Sequence, residues 1–272
     1  MKSIRLFLSV LFIAFISCKK QSGDNPPTSP PPQPVLLKDI QIPHLPSPYY
    51  HFEYDPQGKA ILASFASGYY IYHITYNGGR ITEMRNDILV NQDRLQYFYN
   101  NEGNVSSVTY ADSLGSVYTK VSFSYDAGKL VKVERERKIG ADFIKDKILT
   151  MFYYPDGNLF ELHYHYLPVA GQQEWLYADR FEQYDSKVNV DSFGLLHNEF
   201  FDHVILLPET PLQKNNPGKE TRTGDGVNYT VNYTYIYNQK NQPLSKNGDL
   251  LMTSGADSGK HFQISSMFSY YE

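Results

Sequence analysis

The stretch Glu161-Leu-His-Tyr-His165 holds the side chains best suited to chemistry in this chain. On a β-strand, where alternate side chains share a face, Glu161, His163 and His165 point the same way. Two imidazoles and a carboxylate can begin a zinc or iron site. A complete site needs three or four ligands, and no second segment offers them. The pair is therefore expected to behave as solvated imidazoles that bind metal weakly. Other chemistry is thin. There is no G-x-S-x-G nucleophile motif, and Cys18 is the only cysteine. Gly255-Ala-Asp-Ser-Gly259 has the composition of a phosphate loop but lies between strands, with no helix end to supply a dipole. Asp55, Asp126 and Asp185 occupy repeated turn positions, which gives them a structural task. Arg135-Glu136-Arg137-Lys138 follows a strand and reads as a solvated strand end. The chain is predicted to be non-enzymatic and to need no cofactor. A metal-dependent hydrolase using His163 and His165 is the alternative from another class.

The elements that position these residues are set by a recurring phrase. Its clearest copy is Phe123-Ser-Tyr-Asp-Ala-Gly-Lys-Leu-Val-Lys-Val133. Alternation of apolar and polar residues marks a half-buried strand, and Asp-Ala-Gly then turns the chain. Asp bonds its own backbone two residues on, and Gly accepts positive φ. Other copies are His51-Phe-Glu-Tyr-Asp-Pro-Gln-Gly58, Ile74-Thr-Tyr-Asn-Gly-Gly-Arg-Ile81, Tyr97-Phe-Tyr-Asn-Asn-Glu-Gly-Asn-Val105 and Met151-Phe-Tyr-Tyr-Pro-Asp-Gly-Asn-Leu159. Two degraded copies follow, Phe181-Glu-Gln-Tyr-Asp-Ser-Lys-Val-Asn189 and Tyr235-Ile-Tyr-Asn-Gln-Lys-Asn-Gln242. Gly58, Gly79, Gly103, Gly128 and Gly157 are predicted to hold left-handed conformations, with Asn241 in the same role. Alternate aromatics precede each turn, the longest run being Val227, Tyr229, Val231, Tyr233, Tyr235 and Tyr237. Such a stripe fixes strand register, because a one-residue slip would expose it whole. Tyr reads first as the packing residue of the repeat. A curved Tyr-lined sheet that binds glycan, peptide or protein is the sharper reading.

The Tyr54-Asp55, Tyr125-Asp126 and Tyr184-Asp185 pairs, with their trailing Gly-Lys or Lys-Val-Asn, resemble the tyrosine–aspartate (YD) repeats of bacterial Rhs-type proteins, and the chain is similar to small lipoproteins with few such repeats. The resemblance covers most of 49–247 and implies a curling sheet of hairpins, with no catalytic residue carried across. The fold expected is all-β: an open, twisted antiparallel meander of about seven YD-like hairpins. One stretch, 191–222, lacks the phrase. Within it Asn198 can cap a short helix placing Phe200, Phe201, Val204 and Ile205 on the sheet, as a plug or a lid. Residues 262–271 alternate again and read as the closing strand.

Lys2 and Arg5 precede an apolar run over 6–16, too short to cross a bilayer. With Phe15-Ile-Ser-Cys18 it reads as a signal peptide over 1–17 ending at a lipidated Cys18, and several acyl chains there would anchor the protein. Residues 18–48 are proline-rich and read as a tether in extended geometry, leaving 49–272 as the repeat domain. A lone Cys excludes a disulfide framework, and a net charge of −4 offers no nucleic-acid footprint. The predicted role is binding or scaffolding by a Gram-negative outer-membrane lipoprotein, on the periplasmic face or the cell surface. A glycan-binding accessory lipoprotein is the first alternative. The partners are the membrane, through Cys18, and a glycan or protein.

Overall fold

The computed structural model describes residues 35–88, 92–169, 171–189, 195–197 and 202–272. The stretch read as a signal peptide, Cys18 and the part of the expected tether up to residue 34 lie outside the described residues, as do Asn198, Phe200 and Phe201. The strands are β1 (Leu37–Gln41), β2 (Tyr50–Tyr54), β3 (Ala60–Phe65), β4 (Tyr70–Asn77), β5 (Arg80–Asn86), β6 (Arg94–Tyr99), β7 (Val105–Ala111) and β8 (Val117–Asp126). They continue as β9 (Lys129–Ile139), β10 (Asp142–Tyr153), β11 (Leu159–Tyr166), β12 (Trp175–Glu182), β13 (Lys219–Gly224), β14 (Tyr229–Tyr237), β15 (Pro243–Met252) and β16 (His261–Tyr270). Each pairs antiparallel with its neighbours in sequence, and β1 pairs with β16, closing a barrel of sixteen strands.

The open meander with a helical insert is thus corrected to a closed barrel with no helix among the described residues. Closure comes from Leu37–Gln41, inside the stretch read as tether: it pairs with Tyr50 and His51 on one side and with 267–270 on the other. Pairing removes both sheet edges, each of which would otherwise present unpaired backbone groups.

The repeat turns all fall at one end of the barrel. At that end the Asp or Asn of the phrase folds back on its own loop: Asp55 Oδ1 accepts from the backbone N–H of Gln57 and Lys59, both at 2.9 Å. Asn100 and Asn238 do the same. Gly128 has φ 77° and Asn241 φ 60°. In five of the phrases the tyrosine reaches back to the preceding hairpin. Tyr54 donates to the carbonyl of Leu37, Tyr76 to Ala60, Tyr99 to Ile81, Tyr153 to Leu130 and Tyr184 to Leu159, at 2.7–2.8 Å. The ring fills the interior while the hydroxyl closes a buried backbone acceptor, so most of the Tyr stripe is packing.

Period two separates the faces. One inward row runs Phe123, Val133, Leu149, Tyr164, Tyr177 through directly paired positions. The neighbouring outward row runs Ser124, Lys132, Thr150, His163, Ala178, Thr223. Another outward row holds Glu182, Lys219, Asn232, Asp249 and Gln263. Along these rows apolar and aromatic side chains line the inside and polar ones the outside, while Phe98, Phe152, Leu176 and Ile236 also face out.

A circular sixteen-strand barrel would leave a wide lumen. Here the described residues of the 183–218 connection enter it from the repeat-turn end. Asn216 pins its return limb, giving Nδ2 to Asp185 and to the carbonyl of Val188, while Asn215 N–H donates to Asn158 Oδ1 at 2.8 Å. Leu196 and Ile205 pair as a short bridge inside the barrel, and Val204, Ile205, Leu206 and Leu207 are fully buried. The Leu206 N–H donates to Tyr97 Oη. The stretch acts as a plug inside a barrel and does not cover an open sheet.

Candidate functional site

The plug ends in charge. Asp202 and His203 reach the half of the lumen away from the repeat turns. His203 Nδ1 lies 2.7 Å from Tyr72 Oη, and its Nε2 lies 2.9 Å from Tyr118 Oη, whose hydroxyl also donates to Asp93. On the other side Asp202 meets Arg135 and Arg137 of β9, with Oδ2 3.0 Å from Arg135 Nη1 and Oδ1 3.2 Å from Arg137 Nη2. The solvated strand end expected at 135–138 is corrected by this alternation. Arg135 is only 1% exposed and points inward with Arg137, while Glu136 lies in an outward row opposite Lys120 and Lys145.

A β-bulge explains how β10 answers this charge. The register slips between Lys145 and Lys147, so Asp146 and Lys147 are both buried although adjacent. Asp146, 4% exposed, receives Arg135 Nε at 3.0 Å and Nη2 beside it. Burial opposes the Arg135 charge, but the hydrogen bonds and charge of Asp146, with Asp202, outweigh it and hold the guanidinium above its usual range. Lys147 has no such excess of acid. Burial, then the Arg135 charge, pushes its ammonium down to about 8, and its Nζ lies 4.7 Å from the Tyr166 ring centroid.

From Arg135 one inward row crosses four strands by direct pairing: Arg135, Lys147, Tyr166, Trp175. Strand spacing makes it about 14 Å long. The row forms a wall of a cavity of about 710 Å³ that also meets Arg137, Tyr177 and Arg222. The cavity lies where the β11–β12 and β13–β14 connections meet, at the end opposite the repeat turns.

Each wall residue is held from behind. Arg222 of β13 gives Nε and Nη2 to the two oxygens of Asp179, at 2.6 and 2.7 Å, and its guanidinium lies 4.5 Å from the Tyr177 ring centroid. Burial works against that charge too, but the Asp179 pairing overrides it and raises the pKa. Trp175 is 43% exposed. It packs over Gly226, where an added Cβ would fall 2.6 Å from the indole Cζ3. Glycine there lets the indole lie on the backbone as a fixed, half-open platform. Asp225 carries the one carboxylate of the lining, and its Oδ2 accepts from the Leu176 N–H at 2.9 Å. The result is an aromatic surface ringed by guanidinium and ammonium donors, suited to a ring-shaped polar ligand.

The sequence-predicted trio lies elsewhere, on the outer face. Glu161 and His163 form a pair at 2.8 Å, while His165 turns to Glu174 at 2.7 Å. Among the described residues no three metal-binding side chains come together. A second depression, about 480 Å³, passes over His163, His165, Ile148 and Leu176. Arg135, Lys147, Trp175 and Arg222 were not picked out by sequence motifs. The signal available for them was a charge at an apolar position of a period-two strand, as in Val133-Glu-Arg135 and Tyr177-Ala-Asp179.

No family model matches the chain, and no curated protein matches it. Among solved structures it is similar to a porin-like protein from Bacteroides uniformis, with 12% identity over 82% of this chain and 89% of that one and a TM-score of 0.56. That likeness is one of fold. The chain also aligns with the Photorhabdus luminescens Tc holotoxin pore at 11% identity, over 77% of this chain and 13% of that one, with a TM-score of only 0.29.

Proposed function

We propose that the chain is a non-enzymatic lipoprotein of the Gram-negative envelope, a filled β-barrel that stands in water on its Cys18 anchor and binds a glycan in the Trp175 cavity. The observation that carries this reading is the separation of faces. A lipid-spanning barrel needs an apolar outer band about 25 Å tall, and Lys or Arg at its midplane costs about 2–4 kcal/mol. Here Lys132, Glu134 and Lys145 join in an outward ion-paired cluster, and outward strand centres carry Asn232, Thr234 and Asp249. The aromatic surface that could dock a ligand is inside, around Trp175. The likeness to a porin-like protein supports the barrel architecture without requiring insertion.

Trp175 is the only tryptophan, so its fluorescence reports this cavity alone. A panel of soluble oligosaccharides titrated against the protein should shift that emission saturably. Trp175→Phe removes the signal, so Tyr166→Ala with Trp175 retained checks the wall by loss of affinity. A panel that gives no saturable change would sink the binding reading. For the anchor, Cys18→Ser should move the protein from the membrane to the soluble fraction. Retention through an alkaline wash would show that the barrel itself, or another segment, holds the membrane.

A further inference from the structure

We infer that the cavity takes an acidic oligosaccharide, whose carboxylate replaces Asp202 on Arg137 while a second ring lies against Trp175. The inference rests on the glycan reading and adds the ligand's charge and a built-in competitor for it. Arg137 of the lining already holds a carboxylate from outside it, supplied by the plug. Asp202 reaches Arg137 Nη2 at 3.2 and 3.4 Å and Arg135 Nη1 at 3.0 Å, and is 39% exposed. Arg137 is 41% exposed, so this pair stands where solvent and ligand reach it, unlike the Arg135–Asp146 pair behind it.

Exposed ion pairs have a small net worth, about 0–1 kcal/mol. Exchanging one carboxylate for another on the same guanidinium therefore costs little. A ligand lacking an anion would leave the plug pair in place and lose that contact. Geometry sets the size. From the Arg135 end of the paired row to Trp175 is about 14 Å, which one sugar ring does not bridge and two or three do. The donors favour an anion throughout: Arg135, Arg137, Lys147 and Arg222 line the cavity, against Asp225. Arg and Lys also reward carboxylates with charge-assisted hydrogen bonds, the strong kind.

The test follows Trp175 emission on the full-length soluble Cys18→Ser protein. It uses two matched pairs: trigalacturonate against its methyl ester, and 3′-sialyllactose against lactose. In at least one pair the acid should bind tenfold or more tighter than its neutral partner, and that advantage should shrink between 50 and 500 mM NaCl. Asp202→Asn removes the competitor and should tighten the acid several-fold more than its neutral partner. Arg137→Gln should abolish the acid's advantage; its exposed side chain can go without opening the core, and circular dichroism would verify the fold. Equal binding of acid and neutral partner in both pairs, or an Asp202→Asn variant that binds the acid no better, overturns the inference and leaves the glycan reading standing. Absence of any saturable change with all four sugars overturns both.

Discussion

Asp146→Asn should destabilise the barrel by about 3–5 kcal/mol, the cost of stripping the counter-ion from a buried charge. The geometry puts this pair in that class. Arg135 is 1% and Asp146 4% exposed, and the carboxylate takes both Nε and Nη2 of the guanidinium. Asn keeps the volume and one acceptor but leaves Arg135 leaning on the half-exposed Asp202 alone. In a domain of this size each kcal/mol moves the melting temperature by roughly 2–4 °C, so the drop should be roughly 6–20 °C. Arg135→Leu should cost a similar amount. The double variant Arg135→Leu/Asp146→Leu removes both charges, and such replacements are often near neutral; most of the lost stability should return. Urea unfolding followed by circular dichroism measures these proteins together with Asp146→Leu, the single variant that closes the double-mutant cycle and isolates the pair. Single variants that melt with the parent would show the pair to be solvated. A double variant as weak as the two singles summed would show that packing, and not charge pairing, holds this region.

Gly128→Val should cost about 1–2 kcal/mol through backbone strain alone, because φ there is 77° and an added Cβ meets nothing within 4 Å; Gly128→Asn should cost much less, and equal melting temperatures for the two would refute the turn. Tyr99→Phe removes the hydrogen bond to the Ile81 carbonyl and should cost about 1 kcal/mol; an unchanged urea midpoint would mean that the ring alone carries the repeat. His197 is held down to about 4 by burial, then by the charge of His203. The folded state thus binds fewer protons than the unfolded one between about pH 6.5 and 4. Stability should fall as the pH drops through that window, by up to about 1.4 kcal/mol per unit, and His197→Gln should flatten the slope there; an unchanged slope would place the acid sensitivity elsewhere.

The local grammar was legible and the global closure was not. The Asp-x-x-Gly turns and the aromatic parity are written in neighbouring residues, and they suffice to place the hairpins and to say which face Tyr164 and Tyr177 take. Closure depends on Leu37–Gln41, five residues between prolines with one strongly apolar side chain at each end of Leu-Lys-Asp-Ile, too brief to show a period. The plug gave a partial signal: 191–222 stood out for lacking the phrase, but an apolar run before Pro208 looks alike whether it covers a sheet or fills a lumen. The cavity was hidden for another reason. Arg135, Lys147, Trp175 and Arg222 converge only through register accumulated over five strands, and the bulge at Asp146 shifts the parity within one of them. A charge at an apolar position was the mark they left.

The β1–β16 seam sets an order of assembly. Ser269 donates to Asp39, 230 positions away, whereas every other strand finds its partner next door. The hairpins can zip as the chain is delivered, since local pairing is fast and distant pairing slow. The seam must wait for the ten residues of β16. Until they arrive, the growing sheet offers two bare margins to any neighbour, each a template for joining another chain. A molecule truncated before His261 would keep those margins permanently, and its fate would be association with other chains, long before its stability was tested.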